Sequence, residues 1–220
     1  DLHSFPTRRS SDLHIGGDVA LRSSIEGAED DEAAGRVDLR ERGVRPGDAV
    51  VGITASGRTP YTVGALGWAR SIGCFTAALT CVPDSAVTRV ADVAIVPEVG
   101  PEVLTGSSRM KAGTAQKMVL NMISSAAMIR LGFVRGNRMT NLMPRNEKLR
   151  QRGLRILIAE TAMPESAARA LLQEARGDLR VALVMHRASV DREAAVTALS
   201  SGGGSIEGAV KVLMDRRLDR

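Results

Sequence analysis

Ala49-Val50-Val51-Gly52-Ile53-Thr54-Ala55-Ser56-Gly57-Arg58-Thr59-Pro60 is the stretch that decides the fold. Its first half is a short apolar, β-branched run bounded by turn residues, the pattern of a strand buried on both faces. Ser56-Gly57-Arg58-Thr59 breaks the run, and Pro60 stands where the first residue of a helix is favoured. Val63, Leu66, Trp68 and Ile72 carry a helical period onward to Gly73. Beyond it, Phe75 to Cys81 and Asp92 to Pro97 read as two further strands, with a turn or brief helix opening at Pro83-Asp84-Ser85 between them. Strands alternating with helices predict a parallel sheet with right-handed crossovers, hence an α/β fold.

On the amino-terminal side, Gly43 to Asp48 is a turn around Pro46-Gly47, and Gly17 to Glu29 reads as a helix followed by the acidic stretch Glu29 to Glu32. Residues 1–13 show no sustained hydrophobic period. Their Pro6-Thr7-Arg8-Arg9-Ser10-Ser11-Asp12-Leu13 resembles translated sequencing-adapter read-through, so they are expected to be a non-native or disordered leader. On the carboxyl side, Met110 to Leu131 is the longest predicted helix, with Ala115, Val119, Met122, Ala126 and Ile129 at helical spacing and its methionines expected as core fillers. A helix over Asn146 to Thr161 follows. Short helices then run to Leu213, punctuated by Met163-Pro164, Gly177-Asp178, Ser189 and Gly202-Gly203-Gly204, a pattern similar to a small three- to four-helix bundle. The expected organisation is a leader over 1–13, the α/β domain over 14–144 and a helical region over 145–220.

Composition removes several function classes. The two cysteines, Cys74 and Cys81, have no Cys-x-x-Cys spacing, which argues against a disulfide framework, a zinc site or a thioredoxin-type motif and favours a reducing compartment, the cytoplasm. Apolar runs are interrupted by charge or glycine within a dozen residues, so no membrane span is expected. The net charge of +5 raises the question of nucleic acid. Much of the excess, however, lies at Arg8 and Arg9, at Arg145, Lys148, Arg150, Arg152 and Arg155, and at Arg216, Arg217 and Arg220. Aromatic residues at 2% supply too few stacking platforms for a single-strand binder, and the 145–155 run reads as a solvated helix face.

The Ser56-Gly57-Arg58-Thr59 turn carries chemistry because a strand delivered into a helix leaves first-turn N–H groups facing the crevice at the strand's carboxyl end, where the helix dipole favours an anion. Ser56 and Thr59 add hydroxyls, and Gly57 permits close backbone approach. Charge-assisted hydrogen bonds contribute about 1.5–3 kcal/mol each, so a few suffice to hold a small phosphate. The same residues also describe an ordinary Ser/Thr helix cap. There is no Gly-x-Gly-x-x-Gly or Walker pattern, which argues against dinucleotides and nucleoside triphosphates. A second polar cluster, Glu102 to Thr114, places Ser107, Ser108, Arg109 and Lys111 at the start of the long helix. Cations there oppose the helix dipole and call for a negative partner, either a sugar phosphate or Glu98 or Glu102.

Three segments together resemble the N-acetylmuramic acid 6-phosphate etherase family of the sugar isomerase (SIS) domain superfamily: Gly52 to Tyr61, Leu104 to Lys117, and Asn146-Glu147-Lys148-Leu149. The likeness runs from about Gly16 to the C-terminus. It implies a doubly wound parallel-sheet SIS domain, partial here, with a helical C-terminal region. It also implies a homodimer with sites near the subunit interface, and a sugar-phosphate substrate bound by Ser56, Gly57, Arg58, Thr59, Ser107, Ser108, Arg109 and Lys111. The family reaction removes D-lactate from carbon 3 of N-acetylmuramate 6-phosphate and adds water; it requires no metal and no cofactor. Ile25-Glu26-Gly27-Ala28-Glu29-Asp30 resembles the segment carrying a catalytic carboxylate, which implies Glu29 as general base and leaves Glu26 as its neighbour. The family pattern also has a first strand, another phosphate loop and a second glutamate before Gly16. The chain is therefore expected to be N-terminally shortened and inactive alone. The competing reading is a non-catalytic SIS-domain sensor of sugar phosphates, similar to glucokinase regulatory protein, which would not need Glu29.

Overall fold

The computed structural model describes residue 13 and residues 15–20, 22, 23, 25–142 and 144–218. In chain order the elements are α1 (Gly17–Ala20), a 3-10 turn (Ala28–Asp30), α2 (Glu32–Glu41), β1 (Ala49–Ile53), α3 (Pro60–Ser71), β2 (Phe75–Leu79), α4 (Ala86–Val90), β3 (Val93–Ile95) and α5 (Lys111–Arg130). A hairpin of β4 (Val134–Arg135) and β5 (Arg138–Met139) precedes α6 (Glu147–Thr161), α7 (Glu165–Glu174), α8 (Leu179–Ala188), α9 (Arg192–Ser201) and α10 (Ile206–Leu218). The described residues fall into two compact units, one ending at Met122 and the other beginning at Ile123, so the division lies inside α5. Of the leader, only Leu13 is described; it packs beside the cluster of Leu39, Ala65, Ala69 and Cys74.

In the first unit β1, β2 and β3 form a parallel sheet in that order, with Ala49 opposite Phe75 and Ala77 opposite Val93. The chain is thus α/β, as the alternation of strands and helices predicts. Leu66 of α3 packs with Ala78 and Val87 on one sheet face, and a Cβ on Gly52 would meet Leu66 at 2.7 Å, so α3 sits directly on β1. The other face corrects an expectation. β1 alternates instead of being buried throughout: Val51 and Ile53 are 39% and 41% exposed, and their face-mates Phe75 and Val93 are also exposed. An apolar β-branched run states that both faces suit burial, without stating that the same unit supplies both covers.

The helix expected over Gly17 to Glu29 stops at Ala20. Gly27 takes a left-handed conformation at φ +75°, which leaves Ala28–Asp30 as a separate turn. The acidic stretch after it opens α2, because Asp31 Oδ1 accepts the Ala34 N–H at 2.9 Å and acidic side chains suit a helix start. α2 lies backbone-close on α3. A Cβ on Gly35 would meet the Tyr61 carbonyl oxygen at 2.2 Å, and one on Gly64 would meet that of Glu32 at 2.2 Å. Across the same contact the buried Tyr61 donates to Asp38 Oδ2 at 2.6 Å; burial first, then this hydrogen bond, push the phenol well above its usual range.

The helical unit follows its punctuation. Asn146, Asp178 and Asp191 cap α6, α8 and α9 through their side chains, and Ala162 and Ser189 end α6 and α8 in left-handed conformations. Leu154, Leu157, Leu183, Val184, Leu199 and Ile206 belong to its core. Glu160 of α6 receives Arg138 at 3.0 Å and also Arg135, which fastens the hairpin to the bundle. Arg145, Lys148, Arg150, Arg152 and Arg155 are all exposed, as expected of a solvated face. The tail side chains of Arg216, Arg217 and Arg220 lie outside the described residues, as do Arg8 and Arg9. The α5 methionines correct another expectation: Met118 and Met122 are 56% and 60% exposed, and only Ala112 of this helix is buried. A helical apolar period identifies a stripe that suits burial; here much of that stripe stays exposed among the described residues. Among the described residues no helix is long and apolar enough to cross a membrane.

Candidate functional site

The turn at the carboxyl end of β1 is held from behind. The Ala55 carbonyl accepts the Cys81 N–H at 3.1 Å and the Thr80 hydroxyl at 3.3 Å, and the Gly57 carbonyl accepts the Val87 N–H at 3.0 Å. A trans peptide carries its C=O and N–H on opposite sides, so anchoring these carbonyls toward the segment between β2 and α4 turns the Ser56 and Arg58 N–H groups the other way. There the Arg58 N–H donates to Ser56 Oγ at 3.3 Å. Gly57 sits at φ +68°, and a Cβ on it would meet Ser85 Oγ at 2.2 Å. The glycine is therefore demanded by the packing behind the turn and by the left-handed backbone, a stronger reason than ligand approach. Thr59 occupies the N-cap of α3 without making a cap bond; its hydroxyl pairs with that of the buried Thr54 at 2.8 Å, which closes the turn across its mouth.

A cleft of about 500 Å³ is lined by Thr54, Ser56 and Thr59 of this turn, by Glu29, and by Glu102 and Ser108 of the loop before α5. Glu29 reaches it because the Ala28–Asp30 turn packs against α3, the helix that begins at the Ser56–Thr59 turn, while α2 locks on α3 immediately after. Cys81, at the end of β2, also lines the cleft; burial and then the Glu102 charge push its thiol up, which keeps it protonated. Among the described residues no group of three or more His, Cys, Asp or Glu side chains has the arrangement of a metal site.

Of the residues singled out from sequence, Glu29, Ser56, Thr59 and Ser108 share the cleft, and Gly57 is buried in the turn itself. Arg58 and Arg109 are exposed and Ser107 half-buried, and none of the three lines the cleft. Glu26 is exposed and outside it as well. Lys111 is not in the lining itself, but its ammonium donates at 2.7 Å to the carbonyl of Val99, which is. The negative partner that the α5 start calls for is Glu102, whose carboxylate accepts the Lys111 N–H at 2.9 Å and the Ala112 N–H at 3.0 Å. Sequence reading did not single out Thr54. Its signal is the Thr54-x-x-x-x-Thr59 spacing across a turn, which only the folded turn gives meaning.

Hydroxyls and a helix start stand at the carboxyl edge of a parallel sheet, where α/β domains commonly place their ligand crevices, with a carboxylate in the same cleft. Residues 4–70 match the family described as the glucokinase regulatory protein N-terminal SIS domain, so this part of the chain is similar to an SIS domain. Curated relatives narrow it. The chain is 56% identical over 175 residues to an N-acetylmuramic acid 6-phosphate etherase of Symbiobacterium thermophilum, covering 80% of this chain and 58% of that protein. To the protein of the same name in Jannaschia sp. it is 52% identical over 171 residues, 78% of this chain and 54% of the relative. To that of Rhizobium rhizogenes it is 44% identical over 207 residues, 94% of this chain and 67% of the relative. The chain belongs to the N-acetylmuramic acid 6-phosphate etherase family, and it spans between about half and two thirds of the length of these relatives.

Proposed function

We propose that the cleft binds N-acetylmuramate 6-phosphate and that the protein is a carbon-oxygen lyase which eliminates D-lactate and adds water to give N-acetylglucosamine 6-phosphate. The observation that carries this reading is the convergence of Glu29 with Ser56 and Thr59 on one cleft, joined to the name of the relatives. Phosphate is seated by the turn, through N–H groups directed away from the anchored carbonyls and through the Ser56 and Thr59 hydroxyls. Glu29 takes the proton on carbon 2 of the opened sugar. The electron pair left behind expels the oxygen at carbon 3, which takes a proton from a second acid and leaves as lactate, and water adds across the resulting double bond. General-base assistance of this kind contributes about 10²–10⁴-fold.

The assembly is proposed to be a homodimer. Exposed apolar side chains of the sheet unit support this, among them Val51, Ile53, Phe75 and Val93 on one sheet face. A cytoplasmic setting and a role in amino-sugar catabolism and peptidoglycan recycling follow from the same substrate reading, and the free thiols of Cys74 and Cys81 accord with a reducing compartment. Calorimetric titration with N-acetylglucosamine 6-phosphate and with its unphosphorylated form tests the reading: strong preference for the phosphorylated sugar is expected, and equal binding refutes it. Release of D-lactate from N-acetylmuramate 6-phosphate by a version of the protein as long as its relatives tests the chemistry.

A further inference from the structure

Residues 99–112 form a loop closed by two contacts that cross at its base. Glu102 reaches forward to the α5 start, where its two carboxylate oxygens take the Lys111 and Ala112 N–H groups separately, at 2.9 and 3.0 Å. Lys111 reaches back and donates its ammonium to the Val99 carbonyl at 2.7 Å. Between these contacts the chain is folded tightly on itself: Ser107 N–H donates to the Leu104 carbonyl at 2.9 Å, Ser108 N–H to that of Gly106 at 3.0 Å, and Gly113 N–H to that of Ser108 at 2.9 Å. Gly106 and Ser108, which the clasp encloses, line the cleft beside Ser56.

The α5 start is a place where a helix of 20 residues presents N–H groups to an anion, and the protein fills it with its own carboxylate. We infer that Glu102 is a positioning residue with two effects: with Lys111 it holds the 103–110 loop in its cleft-lining shape, and it denies the α5 start to the substrate's phosphate, which is thereby directed to the Ser56–Thr59 turn. The clasp rests on its hydrogen bonds alone; the directing effect rests on the phosphate reading of that turn. The electrostatics agree, since the Ala112 and Lys111 N–H groups, followed by the Lys111 charge, hold the Glu102 carboxyl below its ordinary value, which favours the carboxylate anion at the α5 start.

The test is to follow backbone amides of the full chain by NMR while inorganic phosphate is added, in the natural protein and in Glu102→Gln. In the natural protein phosphate should shift the Ser56–Thr59 amides and leave those of Lys111 and Ala112 unmoved. In Glu102→Gln, exchange of the Lys111 and Ala112 amides with solvent should accelerate by about tenfold or more, and phosphate should now shift those amides too. A purely structural cap predicts the faster exchange without the new phosphate response, which overturns the directing effect. Unchanged exchange in Glu102→Gln overturns the clasp. A silent turn in both proteins, with a phosphate response at Lys111 and Ala112 only in Glu102→Gln, refutes the phosphate reading of the turn and leaves the clasp standing. Should Glu102→Gln fail to fold, Lys111→Met serves instead. It removes the contact to Val99 and keeps the carboxylate cap, and it should speed exchange at Ser107 and Ser108 while sparing Lys111 and Ala112. No change at Ser107 and Ser108 counts against the clasp.

Discussion

α3 and α5 begin in the same way, each with a Ser/Thr-rich segment entering a helix beside the same cleft, yet the two starts are finished differently. At α3 the hydroxyl that would cap the helix is diverted, Thr59 pairing with Thr54, and the carbonyls of Ala55 and Gly57 are anchored behind. At α5 the first N–H groups are occupied by Glu102, and the one lysine of the first turn is spent on the Val99 carbonyl. Sequence makes these two starts look like two halves of one anion site. The geometry makes the second a closed joint that shapes the loop facing it, and we propose the first alone as the receptor for an anion.

The sharpest way to break that contrast is chemical. If the α3 start holds the phosphate, the sugar is presented to Glu29, and Glu29→Gln in a version as long as the relatives should keep binding while turnover falls by roughly 10²–10⁴-fold, with solvent deuterium exchange at carbon 2 falling alongside. Glu26→Gln, outside the cleft, should change turnover far less. Next in size is Gly57→Ala. Its Cβ meets Ser85 Oγ at 2.2 Å in a left-handed backbone, so denaturant unfolding should show a loss of roughly 2–4 kcal/mol and sugar-phosphate affinity should fall with it. Thr59→Val removes the hydroxyl partner of buried Thr54 and should cost about 1 kcal/mol of stability, with a several-fold weaker titration for the phosphorylated sugar only. The smallest effect is expected from Arg58→Ala, since that side chain is exposed and outside the cleft: affinity should move by less than about threefold, and the change should vanish at high salt.

Acid separates the two starts as well. The Glu102 carboxyl lies below its ordinary value of 4.5 in the folded protein, so the unfolded chain binds the proton more readily. The cap's contribution is present above that ordinary value and is lost as pH falls through the lower, folded one. Exchange rates at Lys111 and Ala112, corrected for intrinsic chemistry, should therefore stay low through pH 4.5 and rise only in stronger acid.

The legible parts of the sequence are those where one local rule acts alone. The β-branched run, the Ser56–Thr59 break and Pro60 give the strand, turn and helix, and the Pro, Gly and Asp punctuation gives the helices after Asn146. Residue by residue the rest is illegible for identifiable reasons. α2 buries Gly35 and Leu39, and its closest contact is made by the absence of a side chain, which leaves no hydrophobic period to read. Gly27 breaks a pattern whose apolar spacing runs straight through it. Glu102 is legible only as one of three candidate partners for the α5 start, because it caps a helix nine residues downstream, beyond the three-residue reach of a local capping box. Arg58, Arg109 and Lys111 look like phosphate ligands by type, and only the fold shows that none of the three lines the cleft.

The most direct test of the account is a crystal structure with N-acetylglucosamine 6-phosphate bound, in a version of the protein as long as its relatives. The phosphate should rest on the N–H groups and hydroxyls of Ser56–Thr59, with carbon 2 of the sugar beside the Glu29 carboxylate and Glu102 still closed on Lys111 and Ala112. A phosphate seated instead at the α5 start, with Glu102 displaced and Glu29 remote from the sugar, would contradict it.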